Sequence, residues 1–482
     1  VPDPGTTAPG EFQAVNPATG RAGHAEPALT AEQLDTLLTQ LAAQQRSWRT
    51  TPFPRRARFA HALAEALAEA HEPLARAVTD DMGKLLTEAR GEVAKCRVLC
   101  EVIPALAEEA LALRTLLDDP TGGAELVHEP LGLILAIMPW NFPHWQALRA
   151  ALPALLAGNG VLIKPAPGVP GAARTLAEVL SRANATLEAE GLTPAPVAVA
   201  CIPREALDAC IADPRIAGVT LTGSTTAGRQ VAAQAGAHLK PVVLELGGSD
   251  PFVVLPDADV ARAAQVAAAS RTLNAGQSCI AAKRFIVCEA VYPAFRDAFC
   301  RAMAERQPGD PLDPASRMGP VSSAVARARL AAQVTRALAA GARLLVGTPP
   351  EDGNAHVAGC AFPPTVLEAD RPDLLAPDEE CFGPVAVLLQ VADEAAAVAA
   401  ANATAYGLGA SVWSADLAAA RRVAAALDAG MVTINDLTVS DPRLPFGGIK
   451  ASGMGRELGA LGVLAFTNPK VIRWAHPPAP PQ

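Results

Sequence analysis

From Ala31 to Leu117 apolar residues recur at helical spacing between charged ones, and Pro73 and Pro104 interrupt the run, which predicts a layer of several helices. After Gly122 and Gly123 the period changes. Glu125 to Glu129 reads as a short strand, Leu131 to Met138 as an apolar strand stopped by Pro139, Pro143 to Leu156 as a helix, and Val161 to Lys164 as a buried strand. A helix from Ala172 to Glu190, a strand from Val197 to Cys201, a helix from Glu205 to Ala212 and a strand from Gly218 to Thr222 continue the rhythm. A second series places strands at Pro251 to Leu255, Phe285 to Cys288, Ala342 to Val346, Val385 to Gln390, Ser411 to Trp413 and Met431 to Ile434, with helices between them. Short apolar strands alternating with helices predict an α/β fold, because parallel strands need covering crossovers. Two doubly wound units with a cleft between them fit 482 residues better than one very large sheet.

Composition narrows the function. Half of the residues are apolar, yet no stretch approaches the ~18 to 20 apolar residues that span a bilayer; the longest, Leu131 to Pro139, is far shorter. A net charge of −9 argues against nucleic acid, since phosphate backbones demand a surplus of Lys and Arg. Nine cysteines, without a repeated C-x-x-C, suit a reducing cytoplasm better than a disulfide framework. Cys96 and Cys100 share a helical face but have no third ligand nearby, so buried thiols are expected and no metal site. Val1 to Gly10 reads as a loose tail without a signal-peptide pattern, and His476 to Gln482, rich in Pro, as an extended one.

Four features carry candidate chemistry. Strand Val219 to Thr222 runs into Gly223 and Ser224 and then Gly228, a turn opening a helix whose free N–H groups and dipole suit a pyrophosphate; the same pattern is also an ordinary Gly-rich helix start. Leu244-Glu245-Leu246-Gly247-Gly248 ends an apolar strand with one carboxylate before a Gly pair, where partial burial would make Glu245 a better base, unless it faces solvent. Asn274-Ala275-Gly276-Gln277-Ser278-Cys279 delivers one cysteine on a turn-rich segment, either a nucleophile or a packed thiol. Pro139-Trp140-Asn141-Phe142-Pro143 fixes a strand end that aims the Asn141 amide into the cleft.

Together these segments resemble the aldehyde dehydrogenase superfamily. Lys164-Pro165, Glu379-Glu380-Cys381-Phe382-Gly383-Pro384, Pro445-Phe446-Gly447-Gly448 and Ser452-Gly453-Met454-Gly455-Arg456-Glu457 extend the match in the same order, from Asn16-Pro17-Ala18-Thr19-Gly20 to about Val471. The resemblance implies Cys279 as nucleophile, Glu245 as general base, Asn141 with the Cys279 N–H as oxyanion hole, and Glu457 in proton relay. It implies Lys164 at the adenosine ribose, Trp140, Gly223 and Ser224 near the pyrophosphate, Gly247 where the ligand approaches the backbone, and Glu380 with Phe382 at the nicotinamide ribose. It implies a dinucleotide-binding domain from residues 1–111 and 131–247, a catalytic domain of residues 248–464, and a small β oligomerisation arm with a C-terminal tail from residues 112–130 and 465–482, giving homodimers or homotetramers.

NAD-preferring relatives often carry a Glu three residues after the strand Lys; Pro167 stands there, and no Arg replaces it, so NAD is slightly favoured and NADP stays open. In detail the chain resembles the bacterial succinate-semialdehyde dehydrogenase branch, notably at Leu133 to Pro143, Leu244 to Phe252 and Ala281 to Phe285. That branch implies cations for the substrate's distal carboxylate. Arg149 and Arg443 are the candidates, with Ser440 nearby and Trp145 and Phe446 as apolar walls. Each arginine could instead be a surface ion pair. Leu273 stands where relatives have a further Arg, with Arg271 two positions earlier, and Ala281 stands where some have a redox-switch Cys, so no such switch is expected. Glutarate semialdehyde, a short uncharged aldehyde, simple ester or thioester hydrolysis, and a catalytically silent relative are the alternatives.

Overall fold

A computed structural model describes residues 10–349, 359–371 and 379–476. Most of both expected tails lies outside them. Among the described residues the two largest sheets are nearly all parallel. The six-stranded sheet runs in the order Gly453–Met454, Val242–Glu245, Ile216–Thr222, Leu133–Ile137, Gly160–Lys164, Val197–Val199, with only Gly453–Met454 antiparallel. The seven-stranded sheet runs Arg343–Val346, Thr365–Ala369, Val385–Val391, Arg284–Cys288, Pro251–Val254, Gly409–Trp413, Met431–Ile434, with only Arg343–Val346 antiparallel.

Each sheet is covered on both faces, which is why its strands read as unbroken apolar runs. Phe252 and Val254 pack among Phe285, Phe295 and Phe299, while Val253 and Leu255 pack on the opposite face with Ile286, Leu389 and Val412. Leu133, Leu135 and Ile137 face one helical layer; Ala136 faces the other, formed by the helices Phe53–Glu69, His71–Met82, Leu86–Ala110 and Pro143–Leu156.

The first helical layer departs from expectation at two places. Pro104 does not end a helix but lies inside the 25-residue helix Leu86–Ala110. An internal Pro costs about 3 kcal/mol, and here the buried stripe Val93, Cys96, Leu99, Cys100, Ile103 and Ala107 overrides it. Arg114–Asp119, of which the spacing up to Leu117 reads as helix while the family resemblance puts it in the β arm, is an exposed strand in a three-stranded antiparallel sheet with Gly122–Pro130 and Thr467–Ala475. Further elements were not expected: the hairpin Glu11–Val15 with Ala22–Pro27, the strand Thr365–Ala369 and the short strand Gly453–Met454. No helix among the described residues is long and apolar enough to cross a membrane.

Candidate active site

Four strands of the six-stranded sheet end on the same edge, and each delivers one of the singled-out segments. Leu133–Ile137 leads to Trp140 and Asn141, Gly160–Lys164 ends in Lys164, Ile216–Thr222 leads to Gly223 and Ser224, and Val242–Glu245 ends in Glu245. The carboxyl edge of a parallel sheet is where side chains and helix N-termini converge on a ligand. Opposite it lies the amino edge of the seven-stranded sheet: Cys279 precedes Arg284–Cys288 and Glu380 precedes Val385–Val391. The two edges touch. Asn141 Nδ2 donates to the Gln277 carbonyl at 3.0 Å, Asn274 Nδ2 donates to the Asn141 carbonyl at 2.9 Å, and the rings of Trp140 and Phe382 meet edge to face at 5.7 Å.

The loop that carries Cys279 is strained and then tied down. Asn274 and Ala275 are left-handed at φ 52° and 53°, a conformation costing about 1–3 kcal/mol for each non-glycine residue. Gly276 is also left-handed, and a side chain there would strike the Gly383 carbonyl at 2.4 Å. Buried Arg271 holds the turn by donating to the Gly276 and Ala282 carbonyls, and Lys283 Nζ donates to the carbonyls of Cys279 at 2.6 Å and Ser278 at 3.1 Å. Arg271 therefore braces this loop, while Leu273 is exposed. Lys283 also lies 3.4 Å from Glu380, whose carboxylate accepts from the Gly248 N–H at 3.1 Å beside Gly247. Neither Arg271 nor Lys283 was singled out as a site residue, because the carbonyls and the Glu380 carboxylate that they hold are brought to them only by the fold.

Cys279 remains partly exposed, whereas Glu245, Asn141 and Glu457 are buried. Burial pushes the Cys279 thiol up to about 12, with Arg149 and Lys283 pulling it back down. Glu245 is 2% exposed, and neither of its oxygens has a hydrogen-bond partner among the described residues. Burial, then the charge of Glu457, hold its carboxyl well above the usual range, opposed by Arg149 and Arg456. A buried carboxylate without donors is a strong proton acceptor once ionised. Asn141 leaves its second amide N–H without a partner among the described residues, a donor suited to an oxyanion.

The arginines expected at the substrate part company. Arg149, on the helix Pro143–Leu156, is buried, ion-paired with Glu457, donates to Thr222 Oγ1 at 3.3 Å, and lies 4.3 Å from the Phe446 ring centroid. Glu457 also accepts from Thr220 Oγ1 at 3.2 Å. Arg443 is corrected to a surface ion pair: its side chain is 70% exposed and its Nε donates to Asp441, two residues away, at 2.9 Å. The local turn captures Arg443 before it can reach inward. Ser440 and Trp145 are buried, and both touch Lys95, which the sequence did not single out.

On the dinucleotide side, Ser224 Oγ accepts from the Ala227 N–H at 3.3 Å, capping the helix Thr225–Ala237, and its own hydroxyl hydrogen stays available to donate. A side chain built at Gly223 would meet only Leu221, no nearer than 3.5 Å, so the backbone at this helix start stays open to a phosphate. Lys164 is buried with its ammonium donating to the Pro165 carbonyl at 3.1 Å and lying 5.4 Å from the Phe12 ring centroid.

Known proteins resemble this chain over nearly its whole length. The chain is 42% identical over 466 residues, 95% of each chain, to succinate-semialdehyde dehydrogenase [NADP(+)] of Mycolicibacterium paratuberculosis strain K-10. It is 42% identical to succinate-semialdehyde dehydrogenase [NADP(+)] 1 of Mycobacterium tuberculosis strain H37Rv, covering 95% of this chain and 98% of that protein. A solved succinic semialdehyde dehydrogenase of Streptococcus pyogenes in complex with NADP+ matches with a TM-score of 0.90 and 35% identity, over 96% of this chain and all of that one. The model of the aldehyde dehydrogenase family matches residues 5–472, and the chain belongs to that family.

Proposed function

We propose that the protein oxidises succinate semialdehyde to succinate with NADP as the preferred acceptor, NAD being the lesser one. The observation that carries the chemistry is the placing of Cys279 and Glu245 on facing sheet edges with Arg149 acting electrostatically on both. Succinate semialdehyde and NADP rest on the similarity to the mycobacterial and streptococcal enzymes. NADP replaces the slight preference for NAD expected from the sequence; Pro167 leaves no carboxylate to repel a 2′-phosphate.

Deprotonated Cys279 adds its sulfur to the aldehyde carbon, and the carbonyl oxygen gains the charge that the second Asn141 amide N–H and the Cys279 backbone N–H receive. A bound nicotinamide would supply the acceptor for the hydride that leaves the aldehyde carbon, so that the carbon passes to the thioester level on Cys279. Glu245 then takes a proton from water, whose oxygen attacks the thioester carbon; the C–S bond breaks, succinate leaves and the thiol is restored. Glu457, ion-paired with Arg149 and hydrogen-bonded to Thr220, is placed to accept protons from Glu245. The helix start at Gly223 and Ser224, with Lys164, would hold the pyrophosphate and adenosine ribose. Trp140, Phe382, Gly247 and Glu380 would frame the nicotinamide ribose.

The domain boundaries at residues 111, 131, 247 and 464 belong to the same reading, although Gly453–Met454 hydrogen-bonds back into the six-stranded sheet. The three-stranded arm, with Leu116, Leu117, Val471 and Ile472 exposed, is proposed to join subunits into dimers or tetramers. Nine unpaired cysteines fit a cytoplasmic setting. Initial rates across succinate semialdehyde, glutarate semialdehyde and butanal, each with NADP and NAD, test the function. The expected result is the highest kcat/KM for succinate semialdehyde with NADP, lost in Cys279→Ser. Equal kcat/KM across the three aldehydes would overturn the substrate, and no cofactor reduction with any of them would make the chain a silent relative.

A further inference from the structure

We propose that Lys95 and Ser440 form the seat for the distal carboxylate of the substrate, with Lys95 supplying the unneutralised positive charge that Arg149 and Arg443 do not. This rests on the reading that the substrate is a semialdehyde acid. Lys95 lies on the helix Leu86–Ala110, its Nζ 2.6 Å from Ser440 Oγ and 4.3 Å from the Trp145 ring centroid. Among the described residues no carboxylate lies within ion-pair distance of it, whereas Arg149 is paired with Glu457 and Arg443 with Asp441. A half-buried ammonium held against a hydroxyl and an indole face, beside a second cation, lacks its counter-ion.

Arg149 is the link between Lys95 and the reacting sulfur, since its charge acts on both. Trp145 packs against Lys95 and Phe446 against Arg149, both rings buried and suited to a short carbon chain. Ser440 can accept from Lys95 and donate its own hydroxyl hydrogen to a carboxylate oxygen, so the pair offers two donors to one anion. The seat is rigid: Glu92, three residues before Lys95, accepts from the N–H groups of His144 and Trp145 at 2.9 and 3.0 Å and locks the two helices together.

Burial and the neighbouring Arg149 lower Lys95 to about 8, against the smaller opposing effects of Cys96 and Glu92 on its own helix and Asp441 on the facing loop. An anion bound there favours the protonated ammonium, and substrate binding weakens once that proton is lost.

The test compares KM for succinate semialdehyde and for butanal, at saturating NADP, in wild type, Lys95→Met, Lys95→Arg and Ser440→Ala, with circular dichroism to confirm folding. Lys95→Met is expected to raise the ratio of the two KM values about tenfold or more, the loss of a charged hydrogen bond, and Lys95→Arg to restore most of it. The wild-type KM for succinate semialdehyde should rise above pH 8, and that of Lys95→Arg should not. A wild-type preference for succinate semialdehyde that survives Lys95→Met overturns the role of Lys95 alone. A wild type that does not prefer it over butanal overturns the semialdehyde reading, and Lys95 with it. If Lys95→Met is unfolded, Ser440→Ala decides by the same ratio.

Discussion

Glu245 fits where it does because Gly447 has no side chain: a Cβ at Gly447, whose φ is +150°, would sit 2.5 Å from Glu245 Oε1. Gly447→Ala should therefore push the carboxylate out of its inward position and strain the backbone at once. The expected outcome is a fall in kcat of about 10- to 100-fold, in the range seen when general-base help is lost. Thioester hydrolysis should become rate-limiting, so stopped-flow traces should show a burst of NADPH close to one per site. A linear trace with unchanged kcat would disconnect Gly447 from the base.

The Cys279 thiol and the Glu245 carboxyl are both shifted the same way. With Cys279 raised to about 12, the thiol holds its proton in the free enzyme at neutral pH, and burial and Glu457 shift the Glu245 carboxyl upward as well. Below the folded pKa the thiolate fraction grows about tenfold per pH unit. Alkylation of Cys279 by iodoacetamide, followed by mass spectrometry, should then accelerate steeply from pH 7 to pH 9 without a plateau. Removing the favourable charge in Arg149→Met should slow it by about threefold or more, and Arg149→Lys should recover much of the rate. A plateau below pH 8 would mean that the resting thiol is already activated.

The parallel sheets were legible because strands buried on both faces leave continuous apolar runs, as at Leu133–Ile137 and Pro251–Val254. Arg114–Asp119 was not legible from periodicity, because all six residues are exposed and no buried face imposes a period of two, and only the family resemblance put it in a β arm. Pro104 misled for a related reason: its local cost is visible in the sequence, while the packing that outweighs it is not. In the site, Glu245, Cys279 and Asn141 announce themselves through Gly- and Pro-rich surroundings that only a special turn requires. Lys95 reads as one more lysine on an amphipathic helix, since its partner Ser440 is 345 residues away and only the fold joins them. Arg443 failed in the opposite sense, a suggestive residue satisfied by Asp441 within its own turn.

That local capture makes Arg443 dispensable. Its guanidinium faces solvent, and exposed pairs of this kind contribute little. Arg443→Ala should leave KM for succinate semialdehyde within about twofold of wild type, and KM for NADP likewise. A selective rise for the semialdehyde, with butanal unaffected, would return Arg443 to the substrate and displace Lys95 from its place there.

The ion pair of Lys84 and Glu92 should matter most for stability. Its side chains are 0% and 1% exposed, Lys84 lies 3.7 Å from the Phe142 ring centroid, and Glu92 caps the helix that carries Trp145 and Arg149. Removing one partner leaves the other buried and uncompensated, a loss of about 3–5 kcal/mol. Glu92→Ala additionally strips two helix N–H groups of their acceptor, so it should be the more damaging change; Lys84→Met keeps the cap but strands the carboxylate. Urea unfolding of the two variants should give lower midpoints in that order. The double variant Lys84→Met/Glu92→Leu, which leaves no charge behind, should recover part of the loss. If each single change shifts the midpoint by no more than an exposed pair such as Arg76 with Asp80 does, the pair is not what fixes this helix against the site.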